Sequence, residues 1–192
     1  ITKLINGIIK NESIIERKIK ELNLKIQLKN YYIIILDIDN YNAVLESFGK
    51  QDEEILNFSI LNICQEILND YNNGEIVNVS DRKFVIIFNG KNSADIDNEV
   101  RELAGKVQSC LKKFLNFSVS IGVSALGNKI GDAHIHFCQA DDALQSRFYS
   151  GGNRVYYYGN IKQFKNIHLK LDKRIEAEFI HFVKNGNISD AK

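Results

Sequence analysis

The chain has 192 residues, of which 44% are hydrophobic and 26% are charged, enough apolar side chain for one full core but not for two large domains. Its 25 Lys and Arg side chains are balanced by 24 Asp and Glu, a formal net charge of +1. The chain therefore lacks the excess positive charge with which proteins attract a polyanion. Composition disfavours a nucleic-acid surface within this segment.

The longest apolar run, Tyr31 to Leu36, is far shorter than the roughly 20 residues that a transmembrane helix needs, so the sequence predicts no membrane contact. The three cysteines, Cys64, Cys110 and Cys138, are odd in number and widely spaced. This pattern favours a reducing compartment such as the cytoplasm and reduced, mostly buried thiols. Because the chain begins with Ile rather than Met, we expect it to be a segment of a longer polypeptide.

Hydrophobic periodicity predicts strands and helices that alternate along the chain. In order, they are a helix from about Ile14, a buried strand at Tyr31 to Leu36, a helix at Asp52 to Leu68, a hairpin of Ile76 to Val79 with Phe84 to Phe88, a helix at Glu99 to Leu115, a strand at Phe117 to Ser124, a helix at His136 to Tyr149 and a last strand at Val155 to Tyr158. This order contains the split βαβ arrangement of ferredoxin-like folds. It predicts an α+β fold with an antiparallel sheet of about five strands and helices packed on one face.

Both ends of the chain are predicted to form amphipathic helices. Ser13 and Glu16 have the spacing of a capping box at the first helix, which could pack on its own domain or serve as a signalling or dimer contact. A second such helix is expected from Lys170 to Val183. The predicted regions are an N-terminal linker at 1–29, a domain at 30–160 and a C-terminal linker helix at 161–192.

Four short motifs follow one another within this domain. They are L-D-I-D-N-Y at 36–41, S-F-G at 47–49 with acidic residues at 52–54, S-I-G-V at 120–123, and A-D-D-A-L at 140–144 with G-x-N-R at 151–154. Together they resemble the D-x-D-x-F, F-G-H-x-x-G-D, S-I-G-V and A-D-x-A-L…G-x-N-R segments of GGDEF domains, the catalytic domains of diguanylate cyclases. The resemblance implies a GGDEF-like fold for the whole domain.

The signature that names this family is degenerate here. The five residues aligned with G-G-D/E-E-F run from Ser80 to Phe84 and read S-D-R-K-F, so only the Phe is retained. In active relatives the third residue is a carboxylate that binds divalent metal together with the first-strand aspartate, here Asp37, and the next carbonyl, here Ile38. Magnesium needs hard oxygen ligands, whereas Arg82 brings a permanent cation. If the guanidinium of Arg82 lay about 4 Å from a divalent metal ion, at an effective dielectric near 20, the repulsion between the two charges would be at most roughly 8 kcal/mol.

Other family positions have changed as well. The two glycines that let the backbone approach phosphate are Ser80 and Asp81, which add bulk and negative charge. The guanine-reading asparagine aligns with Leu45 and the lysine after D-x-D with Asn42, while Glu54 keeps a carboxylate where the family has an aspartate. These vestigial positions imply a domain with no catalytic residue, no bound metal and no cofactor.

Two further interpretations remain open for the acidic residues. The cleft, with Asp37, Asp39 and Glu54 near its rim, could sense a nucleotide or another small molecule. Alternatively, Arg82 or Lys83 could neutralise these acids in place of the lost metal, because a guanidinium pairs well with carboxylates. Weak cyclase activity is a third and less favoured possibility.

A narrower resemblance covers the whole chain. L-I-N-G at 4–7 precedes a polar helix, and A-L-x-x-R-F-Y-x-G at 143–151 precedes a closing helix rich in Lys and Glu. This pattern resembles the middle region of AraC-type two-component response regulators, which are bacterial and cytoplasmic. The resemblance implies a receiver domain before this segment, helix-turn-helix units after it, and a regulatory role that includes a possible homodimer.

His134, His136 and Cys138 alternate along the sequence. On a strand, that spacing would place three zinc-binding side chains on one face. At a helix entrance the side chains diverge, so we expect a solvated or capping role and no metal.

Overall fold

The computed structural model describes residues 1–49, 52–71, 73–90 and 95–160. The helices are α1 (Thr2–Ile5), α2 (Glu12–Glu21), α3 (Tyr41–Phe48), α4 (Glu53–Tyr71), α5 (Ile96–Leu115), α6 (Ala133–Gln145) and α7 (Arg147–Ser150), with a 3₁₀ turn at Ile130–Asp132. The strands are β1 (Tyr32–Ile38), β2 (Gly74–Ser80), β3 (Lys83–Phe88), β4 (Val119–Val123) and β5 (Val155–Tyr157). The helix predicted at Lys170 to Val183, and the whole region 161–192, lie outside the described residues. None of the described helices is long and apolar enough to cross a membrane.

The five strands form one mixed sheet in the order β2-β3-β1-β4-β5. The first three neighbouring pairs are antiparallel, and β5 lies parallel to β4. The α+β class is confirmed, but the prediction of an all-antiparallel sheet is wrong at this edge. The chain leaves β4 and returns through α6, and a helical crossover of this kind brings the next strand back in the same direction.

Helices cover both faces of the sheet, not one face as the sequence predicted. Even-numbered residues of β1 pack with α4 and α5, whereas Ile33 and Ile35 pack with α6 and the N-terminal segment. Successive side chains of a strand point to opposite faces, and every residue of β1 is buried. The continuously apolar sequence of β1 reflects its position at the centre of two hydrophobic layers.

The N-terminal segment is part of this compact unit. Leu4, Ile5, Ile15 and Ile26 are all buried in the same hydrophobic cluster as α6. The boundary predicted between a linker at 1–29 and a domain beginning at residue 30 is therefore corrected. The first helix packs on its own domain through Ile15, and its role as a signalling or dimer contact stays a prediction.

The start of α2 differs from the predicted capping box. Asn11 is the N-cap, and its side-chain oxygen accepts hydrogen bonds from the backbone N–H of Ser13 at 3.0 Å and of Ile14 at 3.3 Å. Ser13 therefore lies within the helix. Asparagine is as effective an N-cap as serine, so the helix begins two residues earlier without loss of capping.

Two short helices flank the end of β1 and were not predicted. The chain turns at Asn40, which has a left-handed backbone with φ of 50°, and α3 follows at once. The helix predicted to continue to Tyr149 instead divides at Ser146 into α6 and α7. Both changes bring backbone and side chains toward the carboxyl end of β1.

Gly122 allows α6 to lie directly on β4. A Cβ atom at this position would stand 2.1 Å from the carbonyl oxygen of Ala140 and 2.9 Å from the Cβ of Leu144. A backbone oxygen of a packed helix cannot move aside without shifting the helix itself. The glycine of the S-I-G-V motif thus has a packing role in this fold.

Gly122→Ala should destabilise the domain by at least about 2 kcal/mol because the methyl group overpacks the contact between β4 and α6. Gly105→Ala, in the middle of α5, is the matched control, because a Cβ at this position would meet no neighbouring atom within 4 Å. That change should stabilise by about 0.5 to 1 kcal/mol. Urea unfolding followed by circular dichroism measures both, and equal effects would contradict this account of Gly122.

Candidate functional site

Three of the four motifs and the signature hairpin meet at the carboxyl end of β1, in the middle of the sheet; the S-F-G motif with its acidic residues lies on α3 and α4. Asp37 pairs in register with Lys83 on β3 and with Ser120 on β4. The N–H of Ile38 donates to the carbonyl oxygen of Arg82 at 3.1 Å. This backbone contact holds the tip of the β2–β3 hairpin against the end of β1.

The signature segment separates into a buried end and an exposed end. Phe84 is fully buried in the layer formed by α4 and α5. Ser80 and Asp81 are exposed at the hairpin. The retained aromatic residue therefore belongs to the core, and the altered residues lie where the family's chemistry would occur.

Two guanidinium groups approach the one buried carboxylate at this place. Asp37 is fully buried, Arg82 Nε lies 3.3 Å from its Oδ1, and Arg147 Nη1 lies 3.1 Å from its Oδ2. The side chain of Arg147 is 18% exposed and that of Arg82 is 48% exposed. Arg147 is thus the more buried partner.

Burial raises the pKa of the Asp37 carboxyl above its ordinary value. The charges of Arg147, Arg82 and Lys83, in that order, act against this shift. Burial penalises the ionised form, and neighbouring cations favour it. The neighbouring cations therefore offset part of the penalty that burial imposes on the ionised form of Asp37.

Lys83 has a different partner from Arg82. Its Nζ lies 2.7 Å from Oδ1 of Asp141 on α6. Of the two cations proposed to neutralise the acids, Arg82 is therefore the one in contact with Asp37. Arg147 was not predicted to take part, although it stands in the A-L-x-x-R motif, because nothing in the sequence places the end of α6 beside β1.

Both carboxylate oxygens of Asp39 accept hydrogen bonds from within the domain. Its Oδ1 accepts a hydrogen bond from the Ser120 hydroxyl at 2.6 Å, and its Oδ2 accepts one from the backbone N–H of Asn153 at 2.9 Å. Gly152 approaches so closely that a Cβ there would lie 2.9 Å from Asp39 Oδ1. Asp39 thus fastens the loop between α7 and β5 to the centre of the sheet.

A cavity of about 850 Å³ opens beside this cluster. Asp39, Asn42, Arg82 and Arg147 are among the described residues that line it, together with Phe148, which is 77% exposed. Two guanidinium groups and an aromatic ring therefore face the same open space. The cavity is suited chemically to an anionic or aromatic molecule more than to a bare cation.

Two of the predicted cleft residues lie elsewhere. Leu45 packs against the layer of α4 and α5, and Glu54 is exposed on the first turn of α4; neither is among the described residues lining the large cavity. The neighbouring Glu53 accepts a hydrogen bond from the Tyr41 hydroxyl at 2.6 Å. Burial and this contact raise the pKa of Tyr41.

The residues at the end of β1 do not fit a divalent cation. Magnesium prefers several oxygen ligands in an octahedral arrangement, whereas Asp37 is already in contact with Arg82 and Arg147. Within the described ranges, no three His, Cys, Asp or Glu side chains are grouped as a metal site. The donor set thus disagrees with the metal chemistry of active GGDEF domains.

The histidines of the H-x-H-x-C segment contact different parts of the backbone. All three residues lie within α6; His134 Nδ1 is 2.8 Å from the carbonyl oxygen of Ile5, and His136 Nδ1 is 3.1 Å from that of Ala125. Burial lowers the pKa of His136.

A family model described as a GGDEF-like domain matches residues 7–146, well over half of the chain. The chain belongs to this GGDEF-like domain family. The match begins within the N-terminal segment, in agreement with the packing of that segment on the rest of the domain.

Solved structures of GGDEF domains share this fold. The active GGEEF domain of a diguanylate cyclase from Vibrio cholerae is 20% identical with a TM-score of 0.55, covering 74% of this chain and 88% of that one. The GGDEF domain of FimX from Pseudomonas aeruginosa is 17% identical with a TM-score of 0.51, covering 76% of this chain and 92% of that one. At these identities the likeness concerns the fold alone.

A curated relative supplies a wider context. The uncharacterized HTH-type transcriptional regulator YtdP of Bacillus subtilis (strain 168) is 22% identical over 188 residues, covering 97% of this chain but 24% of the relative. This GGDEF-like domain thus spans about a quarter of the length of the relative that it matches.

Arg147→Met should destabilise the domain by about 2 to 3 kcal/mol because a buried carboxylate loses its more buried partner. Arg82→Met is the matched control and should cost less than about 1 kcal/mol, since its side chain is half exposed. Urea unfolding followed by circular dichroism suits a chain without Trp.

The pH dependence of the stability of Arg147→Met provides a second test. Arg147 is the largest of the charges that lower the pKa of Asp37, so Arg147→Met should raise that pKa further. The folded state then holds the proton more tightly than the unfolded state, and stability falls as pH rises through the folded pKa. The decrease in the free energy of unfolding caused by Arg147→Met should therefore be smaller at acidic pH. A decrease that grows on acidification would contradict the loss of the ion pair as its cause.

Proposed function

We propose that this GGDEF-like domain is a non-catalytic regulatory domain of a bacterial cytoplasmic transcription regulator of the AraC type. It relays or stabilises a conformational or oligomeric state and catalyses no reaction. The arrangement at Asp37 supports the non-catalytic part of this proposal. The similarity to an HTH-type regulator supports the regulatory part.

The two guanidinium groups beside Asp37 carry the proposal. Cyclase chemistry of this family needs a metal held between the first-strand aspartate and a carboxylate of the signature. Here the signature position is Arg82, and Arg147 adds a second cation. A divalent ion would have to displace both groups from the carboxylate and remain close to their charges, which costs several kcal/mol even at the effective dielectric of a protein surface.

The substrate positions support the same proposal. Leu45 provides an apolar side chain that packs toward α4 and α5, so it offers no hydrogen bond to a guanine edge. Asp81 places a carboxylate at the exposed hairpin turn, where a phosphate chain would be repelled. Asp39 has both oxygen atoms in hydrogen bonds within the domain.

A relay role needs an interface with two arrangements rather than a reaction centre. In the proposed polypeptide, a receiver domain lies before this segment and helix-turn-helix units follow it, with homodimerisation as a possible part of the signal. The near-zero net charge is consistent with phosphate contacts that belong to the DNA-reading units.

A second candidate function is the sensing of a nucleotide or another small anion. The observation that favours it is the cavity of about 850 Å³ lined by Arg82 and Arg147. Guanidinium groups bind phosphate and carboxylate well without metal. Weak cyclase activity is favoured only by the shared fold with an active domain.

Calorimetric titration with GTP and with cyclic di-GMP in magnesium buffer separates these candidates. We expect no heat of binding at micromolar affinity and no cyclic di-GMP product, because neither the metal nor the base has its expected ligands. Binding of either ligand would favour the sensor, and product would establish a cyclase. The active Vibrio cholerae domain serves as the positive control.

The salt dependence of DNA binding by the intact polypeptide tests whether this domain itself contacts DNA phosphates. Binding affinity falls with salt in proportion to the number of phosphate contacts. When the number of polypeptides bound per promoter is the same with and without this domain, deleting the domain should leave the slope of log affinity against log salt unchanged, while transcription from the target promoter changes. At that fixed stoichiometry, a slope that falls by about one or more on deletion would show direct phosphate contact by this domain.

A further inference from the structure

A thiol and an imidazole face each other on the surface of α6, away from the cluster at Asp37. Cys138 is exposed and follows His134 by four residues, which is one helical turn. The sulfur of Cys138 lies 3.8 Å from Nε2 of His134. Nothing in the proposed function uses either side chain.

The second nitrogen of the imidazole determines its proton position. Nδ1 of His134 lies 2.8 Å from the carbonyl oxygen of Ile5, and a carbonyl oxygen can only accept. The proton of the neutral ring is therefore on Nδ1, and Nε2 presents a lone pair to the thiol. Gly7 packs on the ring, since a Cβ there would lie 3.2 Å from the ring carbon Cγ.

A nucleophile, a base and a group that orients the base lie next to one another here. The nucleophile Cys138 lies near a base, and the base is oriented by a third group, the Ile5 carbonyl. Separations in the resting state are often looser than in the reacting state. We propose that Cys138 is a modification site, a thiol that His134 activates as a base for reaction with low-molecular-weight disulfides.

The exchange balances without a metal or a further oxidant. Nε2 of His134 takes the proton from Cys138 Sγ, and the thiolate attacks one sulfur of the disulfide. The bond between Cys138 and that sulfur forms as the disulfide bond breaks, and the leaving thiolate receives the proton from His134. The protein thiol is oxidised to a mixed disulfide, and half of the small disulfide is reduced to a thiol.

The modification would occur at a contact between two parts of the domain. The hydrogen bond from His134 joins α6 to the carbonyl of Ile5 at the end of α1. Ile5 itself is buried. A group attached to Cys138 would therefore lie beside α1, in the N-terminal segment of the domain.

The other two cysteines are internal controls. Cys64 is buried, and burial raises the pKa of its thiol to about 12. Cys110 is half-buried on α5. Burial of Cys64 and partial burial of Cys110 both disfavour reaction. The reaction rates of the three thiols can therefore be compared within the same protein to measure selectivity for Cys138.

Reaction of the chain with oxidised glutathione, followed by peptide mapping, tests this proposal. Cys138 in the folded protein should react at least about tenfold faster than the same residue in the urea-unfolded protein, because the base acts only when the fold positions it. A smaller ratio overturns the proposal. This comparison needs no variant and therefore does not depend on a variant's folding.

His134→Gln tests the base directly, since an amide can still donate to the Ile5 carbonyl but cannot take the thiol proton. The rate at Cys138 should fall at least about fivefold in a variant whose circular dichroism spectrum is unchanged. A smaller fall overturns the role of His134. Cys110→Ser, the matched control, should leave the rate at Cys138 unchanged, and Cys138→Ser should remove the fast reaction.

Discussion

A buried negative charge at the end of the central strand organises this domain. Asp37 is fully enclosed by the fold, where an isolated carboxylate would be strongly disfavoured. Arg82 from the hairpin tip and Arg147 from the start of α7 both contact it. Two elements distant in sequence thus meet at one carboxylate, and both guanidinium groups also line the neighbouring cavity.

The proposed absence of cyclase activity rests on the same arrangement. The strand, the hairpin and the crossover helix remain in the positions that GGDEF domains share. At the position aligned with the signature carboxylate stands Arg82, which contacts Asp37 together with Arg147. A fold is set by its hydrophobic layers, while metal chemistry depends on a few oxygen ligands, so one can persist when the other is lost.

The agreement between sequence and structure differs from residue to residue. The unbroken apolar run of β1 correctly predicted a buried central strand, and the hairpin correctly placed Arg82 near its tip. Three features were predicted wrongly. The strand β5 is parallel to its neighbour, helices cover both faces of the sheet, and the N-cap of α2 is Asn11. A strand's partner depends on the path of the chain around it, and an N-cap depends on which of several polar residues adopts the extended backbone.

Periodicity and motif order were sufficient by themselves to determine the α+β class and the resemblance to the GGDEF-like family, and the alignment put Arg82 at the third position of the signature. Tertiary structure alone decided that Arg147 contacts Asp37, that Asp39 binds the loop at Asn153, and that apolar residues of the N-terminal segment such as Ile5 and Ile15 pack in the core. Side chains far apart in sequence interact only when packing brings them together, and a single sequence records the residue types but not those distances.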